Sequence, residues 1–484
     1  MRKSQIPPLT PWILAVAFVL VLAGCTPSTA PSTAPSTAPS AAPSTAPETA
    51  PATTPLDDYV AKPDPAFTYD PKPAREEVTD AYTSRTYHMV SQEWLDSSKV
   101  DRPAWEHWVI VIVPKVAENK QSLLFVGGGG NSSNDEAPSG DGTLAQVAVM
   151  TKSVLVEIKQ IPNQPLHFKD ETDERYKESG RKEDELIAYG WDKFIVTQDP
   201  LWLPRLPMTK AVVRAMDLVQ KEYPEITGFF ICGGSKRGWT TWTTAAVDKR
   251  VIGIAPAVID VLNVAKSLDN HFAAYGFWAP AVGNYNDMNI MARMHTPEFK
   301  ALEAVVDPYT YIDRLTMPKY IINAAGDQFF PPDSWKFYFD DLKGEKYLRY
   351  MPNTDHGLSA EAYFNMASFY SAVLTNTPRP KFTWSKAEDG TLEVRCETKP
   401  TNVLLWQATN PEGRDFRLEK IGKAYVSSPA VESEPGVYRT AIKAPEKGWT
   451  AFLLELEFPN PSFETPFKFT TGISILPDTY PGAK

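Results

Sequence analysis

The stretch that decides the fold is Thr227–Thr240, TGFFICGGSKRGWT. An apolar run with the character of a buried strand meets two glycines and Ser235, and a segment with helical character follows at once. A serine on a sharp strand-to-helix turn is typical of a catalytic nucleophile. Small residues must flank it, because the strand and the helix crowd together at such a turn.

The pattern departs from the common G-x-S-x-G in one position. The second glycine is Gly238, one place late, and Arg237 stands where that glycine is expected. Taken alone, the stretch therefore leaves two interpretations open: a nucleophile turn, or a glycine-rich turn that contains a serine.

Length and charge narrow the class of protein. The chain has 484 residues, of which 43% are hydrophobic, and its formal net charge is −10. Such a length predicts two or three domains with a large core. The acidic balance argues against nucleic acid or an anionic membrane surface as a partner, since both require basic patches.

The first residues resemble a bacterial lipoprotein signal. Arg2 and Lys3 precede an apolar segment that ends in Leu22-Ala23-Gly24-Cys25. We predict a signal peptide over 1–24, lipid on the thiol of Cys25, and membrane attachment in the bacterial cell envelope through this anchor only. The alternatives are an ordinary signal peptide or a short anchor helix, although the apolar run is shorter than the ~20 residues that span a membrane.

Residues 25–55 are predicted to form a disordered tether. Proline recurs with a period of four among Ser, Thr and Ala, at positions 27, 31, 35, 39, 43, 47, 51 and 55. This composition cannot bury apolar surface and favours an extended, polyproline-like chain.

Strand and helix patterns alternate over residues 56–377. Strands are predicted at 105–114, 121–126, 154–158, 228–232, 251–255, 318–325 and 346–351, and helices at 209–222, 239–247, 334–342 and 359–374. This alternation predicts an α/β fold, with a mostly parallel, doubly wound sheet covered by helices. Residues 262–306 interrupt it with few strand signals and are interpreted as a cap over the carboxyl ends of the strands.

Residues 378–484 change to short alternating runs at a spacing near ten residues. They predict an antiparallel, β-sandwich-like C-terminal domain that packs or binds substrate, since the segment contains no histidine. Cys232 and Cys396 are predicted to remain free, the first as a buried strand thiol.

Four glycines, Gly127–Gly130, directly follow the strand 121–126. The Gly-Lys-Ser/Thr of a P-loop is absent, and a dinucleotide fingerprint fits poorly. The remaining interpretations are a flexible turn or an oxyanion-hole loop, in which backbone N–H groups, here of Gly128 and Gly129, face the reacting carbonyl. No cofactor is implied.

A serine nucleophile requires a base and an acid. In the chain order Ser, Asp, His, only His356 of six histidines follows a last strand after Ser235. Asp327 follows the preceding strand and is the predicted acid, with Asp333 as the second candidate and Asp355 as a weaker one. The N–H of Lys236 would complete the oxyanion hole. Lys236 and Arg237 could be solvated residues of the first helical turn. Cations are poorly placed at a helix N-terminus, however, which favours an acidic partner or a substrate group for one of them.

The motifs together resemble the PhoPQ-activated pathogenicity-related protein family. The shared pieces are the strand 105–114, the GGGG loop, IPNQPL at 161–166, CGGSKRGWTTW, the aspartate of AAGDQFFPPDS and TDHGLS. The resemblance implies an α/β-hydrolase fold with a β-rich C-terminal extension. The elbow is also similar to that of glucuronoyl esterases, where the basic residue after the serine helps to form the oxyanion hole, a role that would fall to Lys236.

The leading hypothesis is a lipid-anchored envelope serine hydrolase that forms an acyl-enzyme on Ser235. Its substrate would be a peptide, cleaved as by an exopeptidase, or a small ester. The peptide version needs carboxylates for the substrate amine, and Glu183, Asp184 and Glu185 are candidates, although solvated surface charges explain them more simply. The alternative is a non-catalytic binding or envelope-protection protein on a degenerate hydrolase scaffold.

Overall fold

The computed structural model describes residues 53–131 and 136–482. The predicted signal peptide, Cys25 and residues 25–52 of the predicted tether lie outside this range. Thr54 already caps the first helix, and Asp57 of that helix is paired with Arg314 at 2.8 Å. None of the helices in the described residues has the length and apolar character needed to cross a membrane.

Strands and helices alternate mainly over residues 121–374, whereas strands follow one another directly near both ends of the described residues. The strands are β1 Thr68–Tyr69, β2 Arg75–Val78, β3 Tyr82–Glu93, β4 Ala104–Pro114, β5 Gln121–Val126, β6 Leu155–Ile158, β7 Gly228–Gly234, β8 Val251–Ala257, β9 Lys319–Ala324, β10 Lys346–Met351, β11 Phe382–Lys386, β12 Thr391–Cys396, β13 Asn402–Asn410, β14 Val426–Pro429, β15 Glu432–Glu434, β16 Val437–Ala441, β17 Trp449–Phe458, β18 Phe467–Thr470 and β19 Ser474–Leu476. The α-helices are α1 Pro55–Ala61, α2 Gly142–Thr151, α3 Glu174–Ser179, α4 Glu183–Thr197, α5 Arg205–Glu222, α6 Lys236–Val247, α7 Val264–Tyr275, α8 Gly283–Asp287, α9 Pro297–Val306, α10 Glu361–Leu374 and α11 Leu418–Ile421.

The central sheet has the strand order of an α/β hydrolase. Its middle runs β3-β4-β6-β5-β7-β8-β9-β10 within a 15-stranded sheet. The strands from β6 to β10 pair in parallel, whereas β4 is antiparallel to both of its neighbours. The predicted α/β-hydrolase fold is therefore confirmed.

Strand β7 shows why helices cover both faces of this sheet. Successive side chains of a strand point to opposite faces. Phe229 and Ile231 accordingly join the core under α5 and α6, while Phe230 and Cys232 join the core under α2 and α10. The fully apolar run therefore belongs to a strand buried on both sides. Cys232 is a free thiol, as is Cys396.

The strand register brings the motifs to one edge of the sheet. Val126 at the end of β5 lies opposite Gly233 of β7, so the glycine loop and Ser235 leave adjacent strands. Ala324 of β9 lies opposite Met351 of β10, which places the Asp327 and His356 loops side by side. Residues 262–306, the segment interpreted as a cap, lie between β8 and β9 and contain helices α7, α8 and α9.

The C-terminal strands extend the hydrolase sheet, an arrangement that the sequence did not predict. Strand β18 pairs antiparallel with β10 through Leu348 and Thr470, and β17, β13, β14 and β19 follow. Strands β11, β12, β16 and β15 form a separate four-stranded sheet. Alternating patterns identify strands but do not say which edges they pair with. Here β18 covers the last parallel strand, which would otherwise be an open edge.

One predicted helix is much shorter than expected. Residues 334–342 form only a 3₁₀ turn at Ser334–Phe337. Trp335 of this turn donates its indole N–H to the carbonyl of Ile473 at 2.9 Å. The segment therefore packs against the C-terminal strands instead of continuing as a helix.

The pairing of β10 with β18 makes a prediction about the boundary at residue 377. A chain ending at Thr377 should be insoluble or lack a cooperative melting transition, because it exposes the β10 edge and loses the partners of Tyr320 and Tyr347, which contact Phe469. Soluble yield and thermal melting measure this. Supplying residues 378–484 as a separate chain should restore solubility, whereas cooperative melting of the shortened chain alone would contradict the prediction.

Candidate active site

Ser235 occupies a strained turn at the end of β7. Its φ and ψ are 58° and −129°, a conformation that a residue with a side chain rarely adopts and that costs roughly 1–3 kcal/mol. Its N–H donates to the carbonyl of Ala257 at 2.8 Å, and its own carbonyl accepts from the N–H of Trp239 at 2.9 Å. These bonds hold the serine between β8 and the first turn of α6.

The displaced glycine has a steric reason. A Cβ at Gly238 would lie 2.9 Å from the carbonyl oxygens of Ala257 and Gly233, so this is where helix and strand approach most closely. A Cβ at Gly233 would lie 2.9 Å from the backbone of Arg237. The turn thus has a glycine at both positions where the start of α6 approaches the neighbouring strands, Gly233 and Gly238. Position 237 can therefore carry the side chain of an arginine.

His356 and Asp327 form a hydrogen-bonded pair. Nδ1 of His356 lies 2.9 and 3.0 Å from the two carboxylate oxygens of Asp327. The backbone N–H of His356 donates to Gln328 Oε1 at 2.9 Å, and the ring of Phe329 packs against the imidazole with centroids 4.4 Å apart. Asp327 is 4% exposed, so the imidazole is held on one side by a buried carboxylate.

The other imidazole nitrogen is unpaired. Nε2 of His356 is buried and finds no hydrogen-bond partner among the residues that the structure describes, Ser235 included. Ser235 and Phe329 nevertheless line one cavity, and Gly234 and His356 line a neighbouring one. Catalytic hydrogen bonds are often long before substrate binds, so this geometry is compatible with a serine–histidine pair.

The other candidate acids have different partners. Asp333 is buried in an ion pair with Arg414 at 2.7 Å and also contacts Lys336. Asp355 accepts the N–H of Gly357 at 2.9 Å. Neither forms a contact with the imidazole of His356 in the described residues, so the structure brings only Asp327 to the histidine.

The cap histidine His271 is structural. Its Nδ1 lies 3.1 Å from the carbonyl of Phe329, and its Nε2 accepts the N–H of Ala279 at 3.0 Å. Burial lowers the pKa of His271 to about 4, so the ring is neutral and supports the loop after Asp327.

Residues of the C-terminal region form hydrogen bonds to the loops that carry Asp327 and His356. The N–H of Leu418 donates to the carbonyl of Gly326, next to Asp327, at 2.9 Å. Asn353 exchanges two hydrogen bonds with the backbone of Tyr425, at 2.9 and 3.0 Å. The extension therefore positions the two loops, which is a packing role.

Lys236 and Arg237 both have acidic partners on helix α4. Lys236 Nζ lies 2.8 Å from Glu183 and 3.1 Å from Asp184. Arg237 forms two hydrogen bonds to the Glu183 carboxylate, and its Nε donates to the carbonyl of Ile161. Glu183 and Asp184, for which the simpler interpretation was solvated surface charge, thus supply the counter-ions of the two basic residues after Ser235. Glu185, by contrast, accepts the N–H of Lys182 at 3.2 Å within its own helix turn.

The IPNQPL motif connects this ion pair to the glycine loop. The Gln164 amide donates to the carbonyl of Gly129 at 3.1 Å and to Glu183 at 2.6 Å, and its oxygen accepts the N–H of Glu183 at 2.7 Å. A Cβ at Gly128 would lie 2.8 Å from the Arg237 guanidinium. We call these contacts of Arg237, Glu183 and Gln164 with the glycine loop the Arg237 clamp.

The Arg237 clamp leaves backbone N–H groups of the glycine loop free to donate hydrogen bonds. The carbonyls of Gly127 and Gly128 accept bonds from Ile161 and Gln160. Within residues 53–131 and 136–482, the N–H groups of Gly128, Gly129 and Lys236 donate to no other group. These are the donors that the sequence predicts for an oxyanion hole. They follow the carboxyl ends of β5 and β7, which are adjacent strands.

A small, partly open cavity of about 50 Å³ lies beside Ser235. Most of its wall is apolar and comes from α6, the segment after β8, the cap and the Asp327 loop, including Trp239, Ile259, Leu268, Met291 and Phe329. Asp184, Arg205, Lys236 and Tyr285 provide its polar groups. Since a water needs roughly 10–15 Å³ by this measure, the cavity accepts a group of about four or five heavy atoms.

Sequence reasoning missed Gln164 and Arg205. Gln164 lies in the Pro-rich IPNQPL motif shortly after β6, at the same edge of the sheet as Ser235, and that position was a usable signal. Arg205 begins an amphipathic helix and has no local pattern that marks it. Only the packing of α5 against α6 reveals that it reaches the cavity.

The role of Gly238 can be tested by adding a single methyl group. Gly238→Ala should lower the free energy of unfolding by about 1–3 kcal/mol, because its Cβ would clash with two backbone carbonyls. Gly142→Ala is the matched control, since nothing lies within 4 Å of a Cβ there. Denaturant unfolding measures both, and equal stability of the two variants would contradict the packing argument.

Comparison with known proteins gives the family. A family model described as PhoPQ-activated pathogenicity-related protein matches residues 56–417. Autocrine proliferation repressor protein A of Dictyostelium discoideum is 37% identical over 459 residues, which cover 88% of this chain and 91% of that protein. Acetyl esterase Axe7A of Xylanibacter ruminicola is 27% identical over 156 residues, covering 32% and 33%.

Among solved structures, an acetyl xylan esterase from Paenibacillus sp. R4 is similar, with a TM-score of 0.46 and 15% identity over 66% of this chain and 92% of that one. The family model covers both the hydrolase sheet and the start of the C-terminal extension. The chain belongs to the PhoPQ-activated pathogenicity-related protein family.

Proposed function

We propose that this chain is a serine hydrolase that cleaves esters of short acyl groups through an acyl-enzyme on Ser235. The observation that carries the proposal is the pair of His356 and Asp327, with Nε2 buried and unpaired at the edge of the sheet where Ser235 occupies its strained turn. An imidazole fixed by a carboxylate on one nitrogen and open on the other is suited to act as a general base.

In the first step, Ser235 Oγ attacks the ester carbonyl, and its proton moves to Nε2 of His356. Asp327 accepts the Nδ1 proton in a hydrogen bond and stabilises the imidazolium that forms. The carbonyl oxygen becomes an oxyanion, which the N–H groups of Lys236 and of Gly128 or Gly129 stabilise. Collapse of this intermediate expels the alcohol, which takes the proton from Nε2 and leaves the acyl group on Ser235.

In the second step, water replaces the alcohol. His356 removes a proton from the water as it attacks the acyl-enzyme, and the same oxyanion donors act again. Collapse releases the carboxylic acid and returns the proton to Ser235. All the protons in both steps pass through Nε2, so the reaction requires no group that the chain lacks.

The carboxylates near the cavity favour an ester over a peptide amine as substrate. Both oxygens of Asp184 are occupied, by Tyr285 at 3.0 Å and by Lys236 at 3.1 Å. Glu183 is bound by Arg237, Lys236 and Gln164. A substrate ammonium group would have to displace these partners, so the exopeptidase version of the hypothesis loses its main support. The cavity size favours short acyl groups.

The triad can be tested with a fluorophosphonate probe and a series of 4-nitrophenyl esters from acetate to octanoate. We expect labelling of the wild type, none of Ser235→Ala, and kcat/KM that falls beyond butyrate as the chain outgrows the cavity. Asp327→Asn and His356→Ala should lower kcat by roughly 10²- to 10⁴-fold.

Asp355→Asn is the matched control, because it removes a carboxylate next to His356 whose single hydrogen bond among the described residues is to the N–H of Gly357. Its kcat should stay within a few fold of the wild type. A folded wild type that is neither labelled nor active would refute the enzyme and support the non-catalytic binding protein. Full activity of His356→Ala would refute the triad.

The proposal includes attachment to the bacterial envelope through lipid on Cys25, which rests on the sequence of residues 1–55. Cys25→Ser should move the protein from the membrane fraction to the soluble fraction, because the lipid is the only predicted anchor. Immunoblots of the separated fractions measure this, with Cys396→Ser as a control that keeps the anchor. Membrane retention of Cys25→Ser would contradict it.

A further inference from the structure

Arg205 is a buried cation that forms no ion pair with any of the residues that the structure describes. The residue is 4% exposed and lies in the wall of the cavity beside Ser235. Its Nη1 donates to the carbonyl of Lys236 at 2.7 Å and to Thr240 Oγ1 at 2.6 Å, and its guanidinium stacks over Trp239. Among the described residues, Nε and Nη2 form no hydrogen bond, and no carboxylate forms an ion pair with Arg205.

Such an arrangement is unfavourable unless something else binds there. A buried charge needs a partner and hydrogen bonds to offset the loss of hydration. Burial lowers the pKa of Arg205 to about 9, which leaves the guanidinium charged at neutral pH. One edge of it is fixed by Nη1, and the donors on the opposite edge stay unused.

The other charges around the cavity compensate one another. Three charged residues line it: Asp184, Arg205 and Lys236. Asp184 and Lys236 form an ion pair at 3.1 Å, and Glu183 is shared between Lys236 and Arg237. Five charged groups thus contain three cations and two carboxylates. The excess positive charge resides on Arg205, inside the cavity.

We propose that Arg205 binds a carboxylate carried by the acyl part of the substrate. This inference rests on the proposed ester hydrolysis at Ser235 and specifies its substrate class as half-esters of short dicarboxylic acids. A guanidinium presents two parallel donors that match a carboxylate, and Nε with Nη2 forms such a fork. The apolar wall would pack against the methylene groups between the two carboxyl carbons.

The size of the cavity limits the length of this acid. With the reacting carbonyl at Ser235, two methylenes and a carboxylate add five heavy atoms, which is what about 50 Å³ accepts. A succinyl group therefore fits this volume. Tyr285 and the Asp184–Lys236 pair would face the same end of the cavity as polar neighbours of the bound carboxylate.

The test uses binding to Ser235→Ala, so that it does not depend on turnover. Monomethyl succinate and methyl levulinate have nearly the same shape, but only the first carries a carboxylate. Calorimetry should show that Ser235→Ala binds monomethyl succinate at least about tenfold more tightly than it binds methyl levulinate. Adding Arg205→Gln should abolish this preference, and Arg205→Lys should retain part of it.

Arg293→Gln is the matched control, because it removes a cation of the cap that pairs with Asp192 outside the cavity. It should leave the preference unchanged. Equal binding of the two esters to Ser235→Ala, binding of neither, or a preference that survives Arg205→Gln in a folded protein would overturn the inference. The proposed function is judged separately by probe labelling and by hydrolysis of neutral esters in the wild type, so the two failures are distinguishable.

Discussion

The ion pair between Arg237 and Glu183 is the contact on which the geometry of this site depends. Arg237 belongs to the first turn after the elbow serine, and Glu183 begins helix α4, more than fifty residues earlier in the chain. The pair joins the nucleophile turn to the loop after β6, and through Gln164 it reaches the glycine loop after β5. Three strand ends are thereby fixed relative to one another by a planar, two-point interaction.

This arrangement explains why the elbow tolerates a basic residue in place of its usual glycine. Positive side chains at the start of a helix meet the positive end of the helix dipole and are unfavourable there. The two carboxylates at the start of α4 offset that effect for both Lys236 and Arg237. Gly238 takes over the steric requirement of the missing glycine, one residue later. The charge change and the shifted glycine are therefore two parts of one structural solution.

The sequence predicted most of the hydrolase sheet, because its strands are buried on both faces and read as continuous apolar runs. It also predicted that Asp327 and His356 would meet, from their positions after adjacent strands. It did not predict that β18 would pair with β10, since strand patterns carry no information about partners at an edge. Glu183 was a candidate only for holding a substrate amine, and Arg205 was not recognised at all, because the roles of both residues come from long-range packing and from charge balance. The activity of Ser235 stays a prediction.

The Arg237 clamp has a consequence for the conditions under which the protein keeps its shape. Burial alone would raise the pKa of Glu183, but the hydrogen bonds and charges of Arg237 and Lys236 lower it to about 2. A glutamate in an unfolded chain titrates near ~4.3, so the clamp contributes its full stabilisation above that pH and loses it only as the pH falls toward about 2. The glycine loop therefore stays anchored in mildly acidic surroundings, where Glu183 keeps its charge.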